Sequence, residues 1–252
     1  MSYSQAHSTF SLRTTETERD REVERSVENS TVCYICGGRH AEELDHVFPR
    51  LLFPRGAQFA DLPPRLPACH LCNNILSKDE ELFQQLILSW RTLDTSQGRR
   101  LYDTKFGPNL RGKRPALRKR VLRHTQLVPV VDSLGRSTGT WPVFTPPKEA
   151  IENVLKKMVK GLHFMETGTV LPLNVEISVF YGGQDPSQFY KLVLPDVLSM
   201  ATRHVVGVED ILVYFRARAT DDPLASLTWF VFYRWHIFCV AVLSPDGSAS
   251  PR

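Results

Sequence analysis

Hydrophobic and polar positions along the chain predict two amphipathic helices. One apolar stripe follows Ser77 and Glu80, which have the spacing of a capping box at a helix start. A second stripe follows Pro146 and Pro147 and stops before Gly168, a residue type typical of helix ends. The stripes are Leu82, Phe83, Leu86, Ile87 and Trp90 in the first helix, and Ile151, Val154, Leu155, Met158, Val159 and Leu162 in the second.

Alternating apolar and polar residues predict an antiparallel sheet in the C-terminal half. The clearest alternation runs from Leu173 to Tyr181, and segments 211–218 and 227–243 add further strands, two of them in the last segment. Segment 227–243 contains Arg234 and His236 and is shorter than the ~20 apolar residues of a membrane helix, so we interpret it as buried strands. The sequence therefore predicts an α+β protein that does not enter a membrane.

Composition divides the chain into four segments. Its 252 residues suffice for one large domain or two small ones, and 42% hydrophobic residues are ordinary for a soluble folded protein. Residues 1–32 are polar and lack the apolar core of a signal peptide, so we expect a flexible tail and a cytoplasmic location. We predict a cysteine-containing domain over 33–90, a basic linker over 91–145 and an α+β domain over 146–245.

Four of the five cysteines form two pairs with identical spacing, Cys33-x-x-Cys36 and Cys69-x-x-Cys72. Two such pairs can place four thiolates around one tetrahedral zinc ion, which would be structural because no position is left for water. In a reducing cytoplasm, paired cysteines more often hold metal than form disulfides. Buried thiols and an iron–sulfur cluster are the weaker alternatives, and His70 could replace a cysteine as ligand.

The segment between the pairs contains Leu44–Pro49 (LDHVFP), an acid beside a histidine in a short apolar stretch. Together with the cysteine pairs, it resembles the HNH endonuclease family in its zinc-containing ββα-metal form. The resemblance covers about residues 30–85 and implies a treble-clef zinc module. The residues that carry it are Cys33-x-x-Cys36, Asp45-His46-Val47-Phe48-Pro49 and Cys69-x-x-Cys72-Asn73-Asn74.

The resemblance implies metal-dependent hydrolysis of phosphodiester bonds, with DNA as the favoured substrate. His46 takes the role of the general base, and Asp45 and Asn73 take the role of ligands to a catalytic Mg²⁺ or Mn²⁺, with Asn74 as a substitute. The family's middle asparagine has no counterpart here, and Arg65 lies nearest to its place. A nuclease joined to a further domain fits bacterial antiphage defence, and also homing or repair.

Positive charge is concentrated between residues 91 and 124. This stretch contains eleven Lys or Arg and two Asp, although the formal net charge of the whole chain is only +4. Such a run is compatible with a solvated face, but beside a nuclease-like motif it favours contact with nucleic-acid phosphates. The predicted contacts are Arg111, Lys113, Arg114, Arg118, Lys119 and Arg120.

Two other functions are compatible with the same residues. A non-catalytic zinc module that binds nucleic acid would share the zinc and the basic segment but would not need His46. A structural or interaction protein would need only the zinc. The C-terminal domain contains no chemical motif, and substrate recognition, signal sensing and homodimer formation all stay open for it.

Overall fold

The computed structural model describes residues 32–55, 65–88, 91–183, 200–208 and 210–244. The predicted tail lies outside these ranges apart from Val32, and so do Trp90 of the first apolar stripe and residue 245. Within them the protein is a mixed α+β structure with antiparallel sheets. No helix in the described ranges is both long and apolar enough to cross a membrane.

The cysteine-containing part is a β-hairpin followed by a long helix. Strand β1, Glu43–His46, pairs antiparallel with β2, Arg65–Ala68. Helix α1, His70–Ile87, begins directly after Cys69. The predicted capping box of Ser77 and Glu80 is wrong, because Ser77 lies inside α1 and its hydroxyl donates a hydrogen bond to a backbone carbonyl one turn earlier. The helix therefore starts at the second cysteine pair rather than at a capping side chain.

Residues 91–145, predicted as a linker, are folded. In the helix Pro115–Arg123 the buried residues are Leu117 and Val121, one turn apart, and so sparse an apolar stripe is not recognisable among basic residues. The elements are α2 (Ser96–Leu101), two π-helical turns (Tyr102–Phe106 and Asn109–Lys113), α3 (Pro115–Arg123), and the hairpin of β3 (Thr125–Val131) and β4 (Ser137–Phe144).

One long helix and a five-stranded antiparallel sheet form the C-terminal half. Helix α4, Lys148–Thr167, ends as predicted at Gly168, which has a left-handed φ of 69°. The strands are β5 (Glu176–Gly183), β6 (Thr202–Val206), β7 (Leu212–Arg218), β8 (Ser226–Phe232) and β9 (His236–Leu243). Their order in the sheet is β5-β9-β8-β7-β6. The predicted strands are present, and β6 is an addition that the alternation did not reveal.

One hydrophobic core joins the cysteine-containing part to the C-terminal half. Phe48, just after β1, is in ring contact with Tyr214 of β7 and Phe230 of β8. The Tyr233 hydroxyl donates a hydrogen bond of 2.6 Å to the Leu52 carbonyl. Buried side chains from both halves belong to the same cluster. The predicted boundary at residue 146 therefore does not separate two cores.

Helix α4 lies close against the β1–β2 hairpin. At Gly161 an added Cβ would lie only 2.6 Å from Val47 Cγ1, so the helix can approach this closely only with glycine there. Nζ of the preceding residue, Lys160, donates a hydrogen bond of 2.7 Å to the carbonyl of Ile35, which lies within the first cysteine pair. These contacts fix the C-terminal helix against the cysteine-containing part.

Candidate functional site

The four paired cysteines converge at one point of the fold. Their sulfur atoms all lie within 4.8 Å of one another. Cys33 and Cys69 are buried, whereas Cys36 and Cys72 are half-buried. The first pair lies in a turn before β1, and the second spans the end of β2 and the first turn of α1, so the pairing of the two strands brings the pairs together.

This cluster has the donor set of a tetrahedral metal site. Sulfur atoms bound at ~2.3 Å to zinc would lie ~3.8 Å apart, which agrees with the observed limit of 4.8 Å. Burial raises the pKa of the Cys36 thiol, but hydrogen bonds from the backbone N–H of Gly38, from Cys33, from the backbone N–H of Arg39 and from Cys72 together outweigh burial and lower the pKa to about 7. Backbone amides that stabilise a thiolate favour metal binding. The four cysteines can therefore hold a metal ion.

His46 lies at the end of β1, and its imidazole is half-buried. In the strand register it stands opposite Arg65, the residue nearest to the place of the family's middle asparagine. Burial lowers the pKa of His46, and the charges of Arg65, Arg50 and Lys157 lower it further, whereas Asp45 acts in the opposite direction. The imidazole is therefore neutral at pH 7, with a lone pair that can accept a proton.

Asp45 is engaged by two side chains of the protein itself. Lys157 Nζ lies 2.8 Å from Asp45 Oδ2 and donates a hydrogen bond of 3.0 Å to Oδ1. The Tyr34 hydroxyl donates a hydrogen bond of 2.9 Å to Oδ2. Lys157 also pairs with Glu80, and only 1% of its surface is exposed. Because both carboxylate oxygens already have partners, Asp45 in this arrangement does not offer an oxygen to a divalent ion.

Asn73 contacts Glu43 rather than Asp45. The Asn73 amide donates a hydrogen bond to one carboxylate oxygen of Glu43, and the other oxygen contacts His70 Nδ1. Asn74 extends the group, with its amide nitrogen 2.6 Å from His70 Nε2. The Glu43 carboxylate raises the pKa of the exposed His70 ring. A polar cluster of Glu43, His70, Asn73 and Asn74 thus lies at the surface beside the cysteines.

Two of the three predicted catalytic residues, Asp45 and Asn73, have different partners. Asp45 pairs with Lys157 and Asn73 pairs with Glu43. Asp45 and His46 are successive residues of a strand, so their side chains point to opposite faces, whereas Glu43 shares a face with Asp45. The predicted roles of Asp45 and Asn73 as metal ligands therefore stay predictions that need a rearrangement of these side chains.

Two residues of this region were missed by the sequence interpretation. Glu43 lies two residues before Asp45, and the alternation of a strand could have placed both on one face. Lys157 lies three residues after Val154 and four before Gly161, on the buried face of α4. A lysine on the apolar face of a predicted helix could have indicated a buried ion pair, because a buried ammonium requires an acidic partner.

The predicted nucleic-acid contacts divide into paired and exposed side chains. Arg114 and Arg120 both form ion pairs with Glu81, at 2.6 Å and 2.7 Å. The side chain of Lys113 lies outside the described part of the structure. The remaining predicted contacts, which are exposed, are Arg111, Arg118 and Lys119.

Comparison with known proteins does not identify a family. No protein-family model, no curated protein and no solved structure matches this chain. The resemblance to HNH endonucleases therefore rests on the motif residues, and the functional interpretation rests on the geometry around the cysteines and His46.

Proposed function

We propose that the protein is a zinc-stabilised HNH-type endonuclease that hydrolyses phosphodiester bonds in DNA, with His46 as the general base. The observation that carries the proposal is the position of a half-buried imidazole at the end of β1, opposite Arg65. Burial and the charges of Arg65 and Arg50 lower its pKa, which favours the form that accepts a proton. The four-cysteine cluster supports it, and so does the order of a hairpin followed by a helix. Zinc held by four thiolates would stabilise the fold and leave water activation to His46.

Hydrolysis of a phosphodiester needs a base for the attacking water and positive charge at the phosphoryl oxygens. In the proposal His46 accepts the proton from water, and Arg65 and Arg50 bind the phosphate. Arginine is suited to this role because its planar donors match two phosphate oxygens at once. The exposed cations Arg118 and Lys119 would contact the backbone of the strand and position it.

A divalent ion is the cofactor that the resemblance implies, but the present arrangement of Asp45 does not fit it. Mg²⁺ and Mn²⁺ take oxygen ligands, whereas Lys157 and Tyr34 already contact the Asp45 oxygens. The Glu43 carboxylate and the Asn73 amide carbonyl are the alternative oxygen donors nearby. No step of the proposed reaction is therefore assigned to a divalent ion.

A non-catalytic zinc module that binds nucleic acid is the second candidate. The buried ion pair between Asp45 and Lys157 favours it, because a lysine takes the charge that a metal ion would otherwise supply to Asp45. Such a protein would keep the cysteine cluster and the exposed basic residues. It would bind DNA equally well with or without His46.

A plasmid assay separates the two candidates. Purified zinc-loaded protein is incubated with supercoiled DNA and either Mg²⁺ or Mn²⁺. The variant His46→Ala and the control His124→Ala are treated in the same way, and His124 lies at the end of α3, outside the β1–β2 hairpin. We expect nicking by the parent and by His124→Ala, none by His46→Ala, and equal zinc content in all three. Intact DNA with every ion, together with equal retention of DNA by the parent and His46→Ala in a gel shift, would favour the binding module.

A further inference from the structure

A basic pocket lies between the segment after β1 and the two π-helical turns. Its volume is about 370 Å³, and its cationic lining residues are Arg50, Arg55, Lys105 and Arg114. Glu81 is the acidic residue among its lining side chains. Arg50 and Arg55 come from the cysteine-containing part, whereas Lys105 and Arg114 come from the region predicted as a linker. The pocket therefore exists only because that region is folded against α1.

Positive charge in this pocket exceeds the negative charge of its lining. The two carboxylate oxygens of Glu81 bind Arg114 and Arg120, so one negative charge is shared between two guanidinium groups. Lys105 Nζ donates a hydrogen bond of 2.8 Å to the carbonyl of Arg50, which is a neutral acceptor. An anion that enters the pocket would meet cations on several sides.

Lys105 is held where its positive charge is unfavourable. Burial lowers the pKa of Lys105 to about 8, and the nearby charges of Arg50 and Arg55 contribute in the same direction. The residue lies in the π-helical turn Tyr102–Phe106, and such turns are rare and frequently occur at functional sites. A bound anion would offset the repulsion between these cations.

We propose that this pocket binds a phosphomonoester dianion. A phosphomonoester has a charge of about −1.5 to −2 at pH 7 and three strong acceptor oxygens, which match several converging cations better than the single charge of a phosphodiester does. A pocket of about 370 Å³ also has room for a sugar attached to the phosphate. The ligand is either the terminal phosphate of a nucleic-acid strand or a free phosphorylated small molecule. The proposal does not depend on hydrolysis at His46.

Calorimetric titration of the full-length, zinc-loaded protein tests the proposal. The probes are inorganic phosphate, adenosine 5′-monophosphate, and one short DNA strand with and without a 5′-phosphate. The variants are Lys105→Gln and Arg55→Gln, and the control is Lys148→Gln, which removes the same charge from an exposed position of α4. Circular dichroism establishes that each variant is folded, and Arg55→Gln, at an exposed residue, keeps the test valid if Lys105→Gln does not fold.

We expect both pocket variants to bind the monophosphate at least about tenfold more weakly than the parent, because each loses a charge-assisted hydrogen bond. Lys148→Gln should bind it as the parent does. A phosphorylated strand that binds more tightly than both its unphosphorylated form and the mononucleotide identifies a nucleic-acid terminus. A mononucleotide that binds at least as tightly identifies a small molecule. Equal affinity of the parent and Arg55→Gln for every phosphorylated probe would overturn the proposal.

Proton uptake supplies a second readout. A dianion beside Lys105 favours the charged ammonium, so binding at pH 8 should take up protons, and the binding enthalpy should depend on the ionisation enthalpy of the buffer. The other charged groups that line the pocket with Lys105 are Arg50, Arg55, Arg114 and Glu81, and Glu81 is paired with Arg114. Lys105→Gln should abolish the buffer dependence, and its persistence in this variant would contradict the assignment to Lys105.

Discussion

Lys157 and Asp45 form a buried ion pair between helix α4 and the strand that ends at His46, with Lys157 Nζ 2.8 Å from Asp45 Oδ2. Glu80 of α1 binds the same ammonium. The triad connects the hairpin, the first helix and the C-terminal helix in one contact. The cysteine-containing part is therefore not an independent module, and the availability of Asp45 depends on a residue from the C-terminal half.

Replacing Lys157 by methionine should destabilise the fold. Methionine retains an unbranched apolar side chain one atom shorter, but the carboxylates of Asp45 and Glu80 lose their cation, and breaking a buried pair in this way costs about 3–5 kcal/mol. Urea unfolding measures the effect. The control Lys156→Met breaks a half-exposed pair with Glu152 and should cost less than about 1 kcal/mol. Equal unfolding midpoints for the two variants would show that the triad does not stabilise the protein.

Replacing Cys36 or Cys72 by serine should remove the structural metal. A site with three thiolates and one hydroxyl binds zinc weakly. In small zinc modules the free energy of metal binding contributes directly to folding. We expect about one zinc per chain in the parent and much less in either variant, with a lower melting temperature. Cys239→Ser, at the fifth cysteine, in β9, is the control and should keep its zinc. Unchanged zinc content in Cys36→Ser would show that the four cysteines do not form a zinc site.

The pH dependence of cleavage should report the pKa of His46. A general base acts in its neutral form, and burial lowers the pKa of His46 below its ordinary value of ~6.5. Initial rates of plasmid nicking should therefore be constant at neutral pH and decrease only as the pH falls through a midpoint below ~6.5.

Arg65→Gln removes one of the charges that lower this pKa and should move the midpoint upward. Arg136→Gln, at a residue paired with Asp132 in the β3–β4 connection, is the control and should leave the midpoint in place. A rate that is independent of pH would argue against His46 as the base.

At Gly161, alanine should destabilise the protein although it favours helices. Alanine in an exposed helix interior is more favourable than glycine by about 1 kcal/mol, but the added Cβ would lie 2.6 Å from Val47 Cγ1. Overpacking of this kind costs about 1–3 kcal/mol, so the clash exceeds the gain in helix propensity. Thermal unfolding measures the balance. Gly38→Ala, where the nearest atom lies 3.8 Å from the added Cβ, should change stability by less than about 0.5 kcal/mol.

Acid should destabilise the fold through His236. Burial lowers the pKa of His236 to about 4, whereas the unfolded chain has a histidine pKa of ~6.5. The unfolded state therefore binds the proton first, and stability present above pH ~6.5 is lost as the pH falls toward 4, by up to about 3 kcal/mol. Urea unfolding at several pH values should show a smaller decrease in His236→Phe than in the parent. Parallel curves would exclude His236 as the cause.

Local patterns in the sequence determined several parts of the fold. The stripe from Ile151 to Leu162 and the stop at Gly168 predicted α4, because an apolar face of helical period and a left-handed terminal glycine are local properties. The repeated spacing of the cysteines predicted their convergence, because one ion requires four thiolates within a few ångströms. The alternation in the last third of the chain predicted the sheet.

Tertiary structure alone decided which side chains meet. Nothing near Asp45 in sequence indicates that Lys157, 112 residues away, binds its carboxylate. The sparse apolar positions of residues 91–145 did not reveal elements that are held against α1 by the ion pairs of Glu81. Periodicity reports which face of a segment is buried, whereas the partner of a buried charge depends on the packing of distant segments. The sequence by itself therefore determined α4, most strands of the C-terminal sheet and the convergence of the four cysteines, and the packing of α4 on the hairpin decided the surroundings of Asp45.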